Sequence, residues 1–235
     1  MSVPSSTGAI SIGAISIGQA PRPDLVDALR LRLPPDRPTI VEIGALDGLD
    51  SADLRLTEPG GYPLTTRMRD GTKVTVDEAY LAPLVQAAVD SAERQGCVAS
   101  ILLCAGGFDD VHTTRPLVRP FALAVGALRA SGVTRIGVIV PIDDQLDPSR
   151  RKWSRAGFEP IVQAARLGEA PARVAAEGFA GTETIVLDFV GHPAAAVARF
   201  RDLVGRPVLD VGELAAATLA AIVPSGMRRQ GERQS

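Results

Sequence analysis

The chain repeatedly sets a short apolar run against a stretch of helical periodicity, with glycine or proline at the joins. Arg135 to Val140 is the cleanest case, a β run that stops at Pro141 and leads into a helical stretch from Gln145 to Ala156. Ser100 to Leu103 is another, and its apolar or small residues suit a strand buried on both faces. Buried strands alternating with helices favour parallel sheets joined by right-handed crossovers. The expected class is therefore α/β.

Taken in order, strand-like runs fall at 10–17, at Thr39 to Gly44, before Cys104, at Arg135 to Val140, at Glu159 to Gln163, at Thr184 to Asp188 and at Pro207 to Asp210. Helical stretches separate them. Pro23 opens the first, in which Leu25, Leu29 and Leu33 form a stripe that Pro34 and Pro35 end. Asp77 caps a second, long helix to Gln95, and further helices are expected from Pro116 to Ala130, with Pro120 as a second candidate start, Gly168 to Phe179, Ala194 to Val204 and Val211 to Ile222. One stretch breaks the alternation. Residues 46–76 are polar at first, and then two extended runs flank Asp70-Gly71, a hairpin signal.

The run Gly137-Val138-Ile139-Val140-Pro141 echoes Gly13 to Gly18, which suggests two similar halves. From Gly18 to Cys104 is 86 positions, against 48 from Pro141 to Phe189, and the excess of 38 is about the size of the excursion. We expect two pseudosymmetric, Rossmann-like or flavodoxin-like domains with parallel sheets and a cleft between them. The expected boundaries are 10–115 plus 207–223 for the first domain, with the hairpin excursion in it, and 116–206 for the second. Residues 1–9 read as a disordered arm and 224–235 as a flexible tail.

The net charge of -2 carries no long single-sign block, which argues against nucleic acid or an anionic membrane as partner. No apolar run reaches membrane-spanning length, and the N-terminus lacks the basic start of a signal peptide, so the cytoplasm is the default location. Two histidines and two cysteines without paired spacing leave no metal site to propose. Cys97 and Cys104 bracket one expected strand, too far apart for a disulfide, which fits a reducing compartment.

The stretch that concentrates chemistry is Leu103-Cys104-Ala105-Gly106-Gly107-Phe108. Ligands in open α/β sheets bind at the carboxyl ends of strands, and small residues after the strand let backbone N–H groups approach them. Cys104 is either a reactive thiol there or a small hydrophobe closing the strand.

Several ordered motifs resemble one family. They are Ser16-Ile17-Gly18-Gln19-Ala20-Pro21-Arg22-Pro23-Asp24, Gly44-Ala45-Leu46-Asp47-Gly48-Leu49, the hairpin with Thr66-Arg67 and Asp70-Gly71, and Leu103-Cys104-x-Gly106-x-Phe108. Gly137 to Pro141 with Gln145 and Trp153, and Leu187-Asp188-x-x-Gly191, complete the set. Together they resemble the AroM family over nearly the whole chain, and that family is similar to the aspartate/glutamate racemase superfamily, with hydantoin racemase, maleate isomerase and arylmalonate decarboxylase. The resemblance implies two pseudosymmetric α/β domains and cofactor-independent chemistry. It also implies one cysteine from each domain, a thiolate taking an α-proton and the opposite thiol giving one.

This chain departs from that pattern. The family typically has Cys-Thr-Gly-Glu-Phe where Cys104-Ala105-Gly106-Gly107-Phe108 stands, and Asp-Cys-x-Gly-Tyr where Asp188-Phe189-Val190-Gly191-His192 stands. A phenyl ring cannot move a proton, so two-thiol racemisation is disfavoured. One-face chemistry by Cys104 remains, such as isomerisation or decarboxylation, with His192 as a substitute base and apolar Phe189 desolvating a departing carboxylate. A small carboxylate would be bound by Gln19, Arg22, Arg67, the backbone of Ala105, Gly106 and Gly107, and the Phe189, Val190 and Gly191 loop. The competing readings are a non-catalytic binder with a degenerate site and a cysteine hydrolase using His112 or His192. A homo-oligomer is compatible with all three.

Overall fold

In the computed structural model, which describes residues 10–33, 38–54, 61–165, 167 and 178–223, the apolar runs form two four-stranded parallel sheets. The expected arm, tail, Pro34-Pro35 stop and nearly all of the helix expected from Gly168 to Phe179 lie outside the described residues. The first sheet has the order β2 (Thr39–Gly44), β1 (Ser11–Ser16), β5 (Ala99–Leu102), β6 (Leu117–Val118). The second has the order β10 (Val208–Asp210), β9 (Thr184–Leu187), β7 (Arg135–Val140), β8 (Glu159–Ala164). Read from the other end, the second order repeats the first.

The register makes the equivalence residue by residue. Ile15 pairs with Leu102 and Ile139 with Leu187, and one step on, Leu103 N–H donates to Ile15 while Asp188 N–H donates to Ile139. Cys104 and Phe189 are therefore equivalent, each two residues past its strand. Gly13 and Gly137 share a position too, and each is required by a close neighbour. A Cβ at Gly13 would lie 2.9 Å from the Ala92 methyl, and one at Gly137 would lie 2.7 Å from the Phe179 ring.

Helices cover both faces of each sheet, as parallel sheets require. On the first sheet, α2 (Glu78–Arg94) packs Leu81, Val85, Ala88 and Val89 beneath Ile15 and Leu102, and α1 (Pro23–Arg30) packs Leu25, Val26 and Leu29 on the other face. Asp77 caps α2 by accepting from Ala79 N–H at 2.8 Å, a contact worth about 1 kcal/mol. On the second sheet, α4 (Leu146–Arg155) buries Trp153, and α5 (Ala194–Val204) buries Val197 and Phe200 opposite it.

Two boundaries take definite form. Pro116 does not open a helix: residues 117 and 118 extend the first sheet as β6, and α3 (Pro120–Ala130) starts at Pro120. The residue before a proline disfavours helical backbone, and Arg119 is accordingly extended. The stretch 207–223 meets both sheets. Strand β10 pairs with β9 in the second sheet, while α6 (Val211–Ile222) packs Ala215, Ala216 and Leu219 on the first. Helix α3 does the reverse: it follows the first sheet and packs Phe121, Ala124 and Leu128 into the second core. The closing helices of the halves are thus exchanged, and they touch each other.

The excursion forms an antiparallel pair, β3 (Pro63–Arg67) with β4 (Lys73–Asp77). Gly71 N–H bonds Met68 at 3.0 Å and Gly71 takes φ +88°, so the hairpin turns through a three-residue loop with the glycine in the left-handed position.

Candidate functional site

The carboxyl ends of both sheets and the inner side of the hairpin enclose a cleft of about 410 Å³. Ile17 follows β1, Leu103 to Ala105 follow β5, Pro141 and Ile142 follow β7, and Asp188 to Pro193 follow β9. Tyr62, Leu64 to Arg67 and Lys73 of the hairpin form the facing wall. The hairpin is pinned at both ends. Gln145 on the second half donates to Pro63 C=O at 2.8 Å, and Gly18 approaches so closely that a Cβ there would lie 2.4 Å from Arg67 O and from Thr66 Oγ1.

Of the residues expected in the site, Cys104, Ala105, Arg22, Arg67, Phe189, Val190, Gly191 and His192 line this cleft. Gln19, Gly106 and Gly107 do not. The Gln19 amide donates to Leu46 and Leu49 carbonyls at 3.1 and 2.9 Å and accepts from Arg69 N–H at 2.7 Å, so it ties the first loop to the excursion. Gly106 N–H points at Cys104 Sγ (3.3 Å), and Gly107 N–H at Glu78 Oε2 (3.1 Å). Those donors are already engaged within the protein.

Cys104 is buried, and burial pushes its thiol up to about 12. The Gly106 N–H and the nearby Lys152 charge pull the other way without overcoming it, and Glu78 and Asp188 add to the rise. Glu78 is itself shifted up, by its own burial, against the Gly107 N–H bond. The site therefore holds Cys104 as a thiol at neutral pH. His192 is pushed down to about 4 by burial, its Nε2 has no partner among the described residues, and its ring meets Phe189 edge-on at 5.3 Å. It is neutral and weakly basic, which makes it a poor candidate for the base. His112, the other histidine weighed for a hydrolase, does not line the cleft, and its backbone is bonded to Gln86, midway along α2.

Beneath Cys104 lies a buried cation that sequence reasoning missed. Lys152 Nζ donates to Ala105 C=O at 2.9 Å and to Asp188 at 2.8 Å, and it sits 4.5 Å from the centre of the Phe121 ring. The Lys152 and Asp188 side chains are 9% and 0% exposed. Trp153 Nε1 and Ser149 Oγ also donate to Asp188, at 2.8 and 3.1 Å, so the carboxylate is fully partnered. Burial alone would lower the Lys152 ammonium, but the Asp188 charge and the Tyr62 hydroxyl outweigh it and keep the group protonated. One buried lysine thus joins the Cys104 loop to the Asp188-Phe189 loop.

At the hairpin the cleft is cationic. Arg22 is held bidentately by Asp24, at 2.8 Å for both bonds, and this guanidinium draws Asp24 below the usual carboxylate range. Arg67 and Lys73 are exposed and stand directly opposite in the hairpin register, and the Arg67 charge also acts on the Asp24 carboxylate. Like charges so placed repel, and an anion between them relieves it.

A family model for AroM protein matches residues 12–223. The chain belongs to the AroM family. The match runs from the second residue of β1 to the end of the last helix, with the hairpin in between. The fold of this AroM family chain is also that of arylmalonate decarboxylase in its unliganded form, at 17% identity and a TM-score of 0.59 over 92% of this chain and 94% of that one. Maleate isomerase Iso from Pseudomonas putida S16 is similar at 15% identity and a TM-score of 0.59, over 91% of this chain and 93% of that one. Glutamate racemase from Francisella tularensis, solved with D-glutamate, is similar at 11% identity and a TM-score of 0.55, over 90% of this chain and 80% of that one. At such identities the likeness is one of fold. No curated protein matches the chain by sequence. Among the described residues, no helix is long and apolar enough to cross a membrane.

Proposed function

We propose that this AroM family chain binds a small carboxylate in the cleft between its halves and that Cys104 protonates one face of it, without a cofactor. The observation that carries this reading is the pairing of a buried thiol, Cys104, with Phe189 at the equivalent position of the same cleft. A thiol with pKa about 12 is the donor form, suited to giving a proton to a carbanion-like centre rather than to attacking a carbonyl. In a decarboxylation, the bond from the α-carbon to its carboxylate breaks, CO₂ leaves, and the electron pair takes the Cys104 proton. Solvent then reprotonates the thiolate, which Gly106 N–H and the Lys152 charge stabilise meanwhile. Phe189 supplies an apolar wall, which disfavours the carboxylate that must leave. Arg67 and Lys73 bind the carboxylate that stays.

The test is solvent deuterium incorporation into a panel of α-substituted mono- and dicarboxylic acids, comparing the wild type with Cys104→Ala. Incorporation that depends on Cys104 is expected. Incorporation that survives Cys104→Ala would sink the role given to the thiol. A second reading, a binder without chemistry, is favoured by the same burial of Cys104, and it predicts saturable carboxylate binding with no incorporation at all.

A further inference from the structure

We infer that Tyr62 is a ligand-facing hydrogen-bond donor of the cleft, its proton aimed at a ligand oxygen by Lys152. This rests on the carboxylate-cleft reading and adds to it a residue from the hairpin.

The argument is one of donor and acceptor counting. An ammonium has three N–H donors and no lone pair. Lys152 spends its donors on Ala105 C=O and on Asp188, and its Nζ stands 5.2 Å from the centre of the Tyr62 ring. A cation so close turns the lone pairs of the Tyr62 hydroxyl toward itself and its proton away. That O–H is left to donate, and among the described residues no acceptor for it is present. Asp188, the nearest acid, already receives bonds from Lys152, Trp153 and Ser149. The Tyr62 side chain lines the cleft, so the remaining direction for its proton is the cleft interior.

Two neighbours say what chemistry it meets there. Arg67 and Lys73 on the same hairpin give the cleft wall a positive charge, which selects an anionic oxygen. Burial, with Lys152 opposing it, pushes the Tyr62 hydroxyl up to about 12, so it stays protonated over the working range and acts as donor, never as a competing anion. A carboxylate held by both a cation and a phenol is fixed in orientation as well as in place.

The chain has two tyrosines, Tyr62 and Tyr80, which makes the test direct. Protein labelled with carbon-13 at the tyrosine Cζ is titrated with malonate, succinate and phenylacetate, and affinity is measured in parallel by calorimetry. The resonance that Tyr62→Phe removes should move saturably with at least one of the three, while the Tyr80 resonance stays. Affinity for that acid should fall about tenfold or more in Tyr62→Phe, the scale of a lost hydrogen bond to a charged group, with little change in Tm. Binding that is as tight in Tyr62→Phe as in the wild type, with the Tyr62 resonance unmoved, overturns the inference alone. No calorimetric response to any of the three acids overturns the carboxylate-cleft reading and the inference with it. Lys152→Met paired with Asp188→Asn removes both buried charges together. In that protein Tyr62 loses its orienting contact, and affinity is expected to fall toward that of Tyr62→Phe; an unchanged affinity would show that Lys152 does not aim the hydroxyl.

Discussion

Cys104 and Phe189 hold the same position in two sheets of the same strand order, each two residues beyond a central strand, and both face one cleft. The cleft thus carries a thiol on one side and a hydrocarbon ring at the equivalent position on the other. The asymmetry can be tested by placing a second thiol at position 189.

In Phe189→Cys, a substrate deprotonated or decarboxylated in the cleft should be reprotonated from either face. The expected outcome is loss of stereochemical preference, from one enantiomer in the wild type toward a near-equal mixture, read by chiral chromatography of the deuterated product. Retention of a single enantiomer would mean that position 189 does not address the α-carbon.

Alkylation of Cys104 should be slow at neutral pH. With the thiol pushed up to about 12, only about one part in 10⁵ is thiolate at pH 7, and the rate should climb tenfold per pH unit through pH 10. Iodoacetamide labelling followed by mass spectrometry measures this. A plateau near pH 8 would show an activated thiolate and favour nucleophilic chemistry.

The Lys152–Asp188 pair should be worth far more as a pair than either member alone. Lys152→Met or Asp188→Asn alone leaves an unpartnered buried group, at a cost of about 3–5 kcal/mol, whereas the double replacement should cost less than the two together. Urea denaturation of the four proteins gives the coupling. Additive losses would mean that the ion pair does not hold the two loops together.

Stability should fall on acidification through the window set by His192. Its folded pKa of about 4 lies below the ordinary value of 6.5, so the contribution is fully present above pH 6.5 and is lost as the pH drops toward 4. The loss is on the order of 3 kcal/mol by the linkage relation. In His192→Gln that part of the pH dependence should vanish, leaving the shallower slope of the carboxylates. Identical slopes in the two proteins would place His192 in water.

Most of the scaffold was legible because its signals are local. The strand at Arg135 to Val140 and the helices at Ala194 to Val204 and Val211 to Ile222 have the bounds their periodicity implies. Asp70-Gly71 marked the hairpin, and Asp77 marked the start of α2. What could not be read is what depends on the partner across space. Val211 to Ile222 has one apolar face whichever sheet it covers, so its exchange with α3 leaves no local trace. Lys152 stands in Asp147-Pro148-Ser149-Arg150-Arg151-Lys152-Trp153, where its charge matches its exposed arginine neighbours and only the adjacent Trp153 hints at a buried side. Gln19 shows the converse: its polar side chain in a ligand-side loop suggests binding, and the bonds that hold its amide to the excursion cannot be read from the sequence.

The exchange of α3 and α6 bears on how such a protein can diversify. Each half completes the other's core, so neither can be traded as a module or discarded without exposing a sheet face. Inheritance must then act through single residues on the rims of a fixed frame. The choice of a phenyl ring at Phe189 is a change of that size, made where the frame itself has nothing to lose.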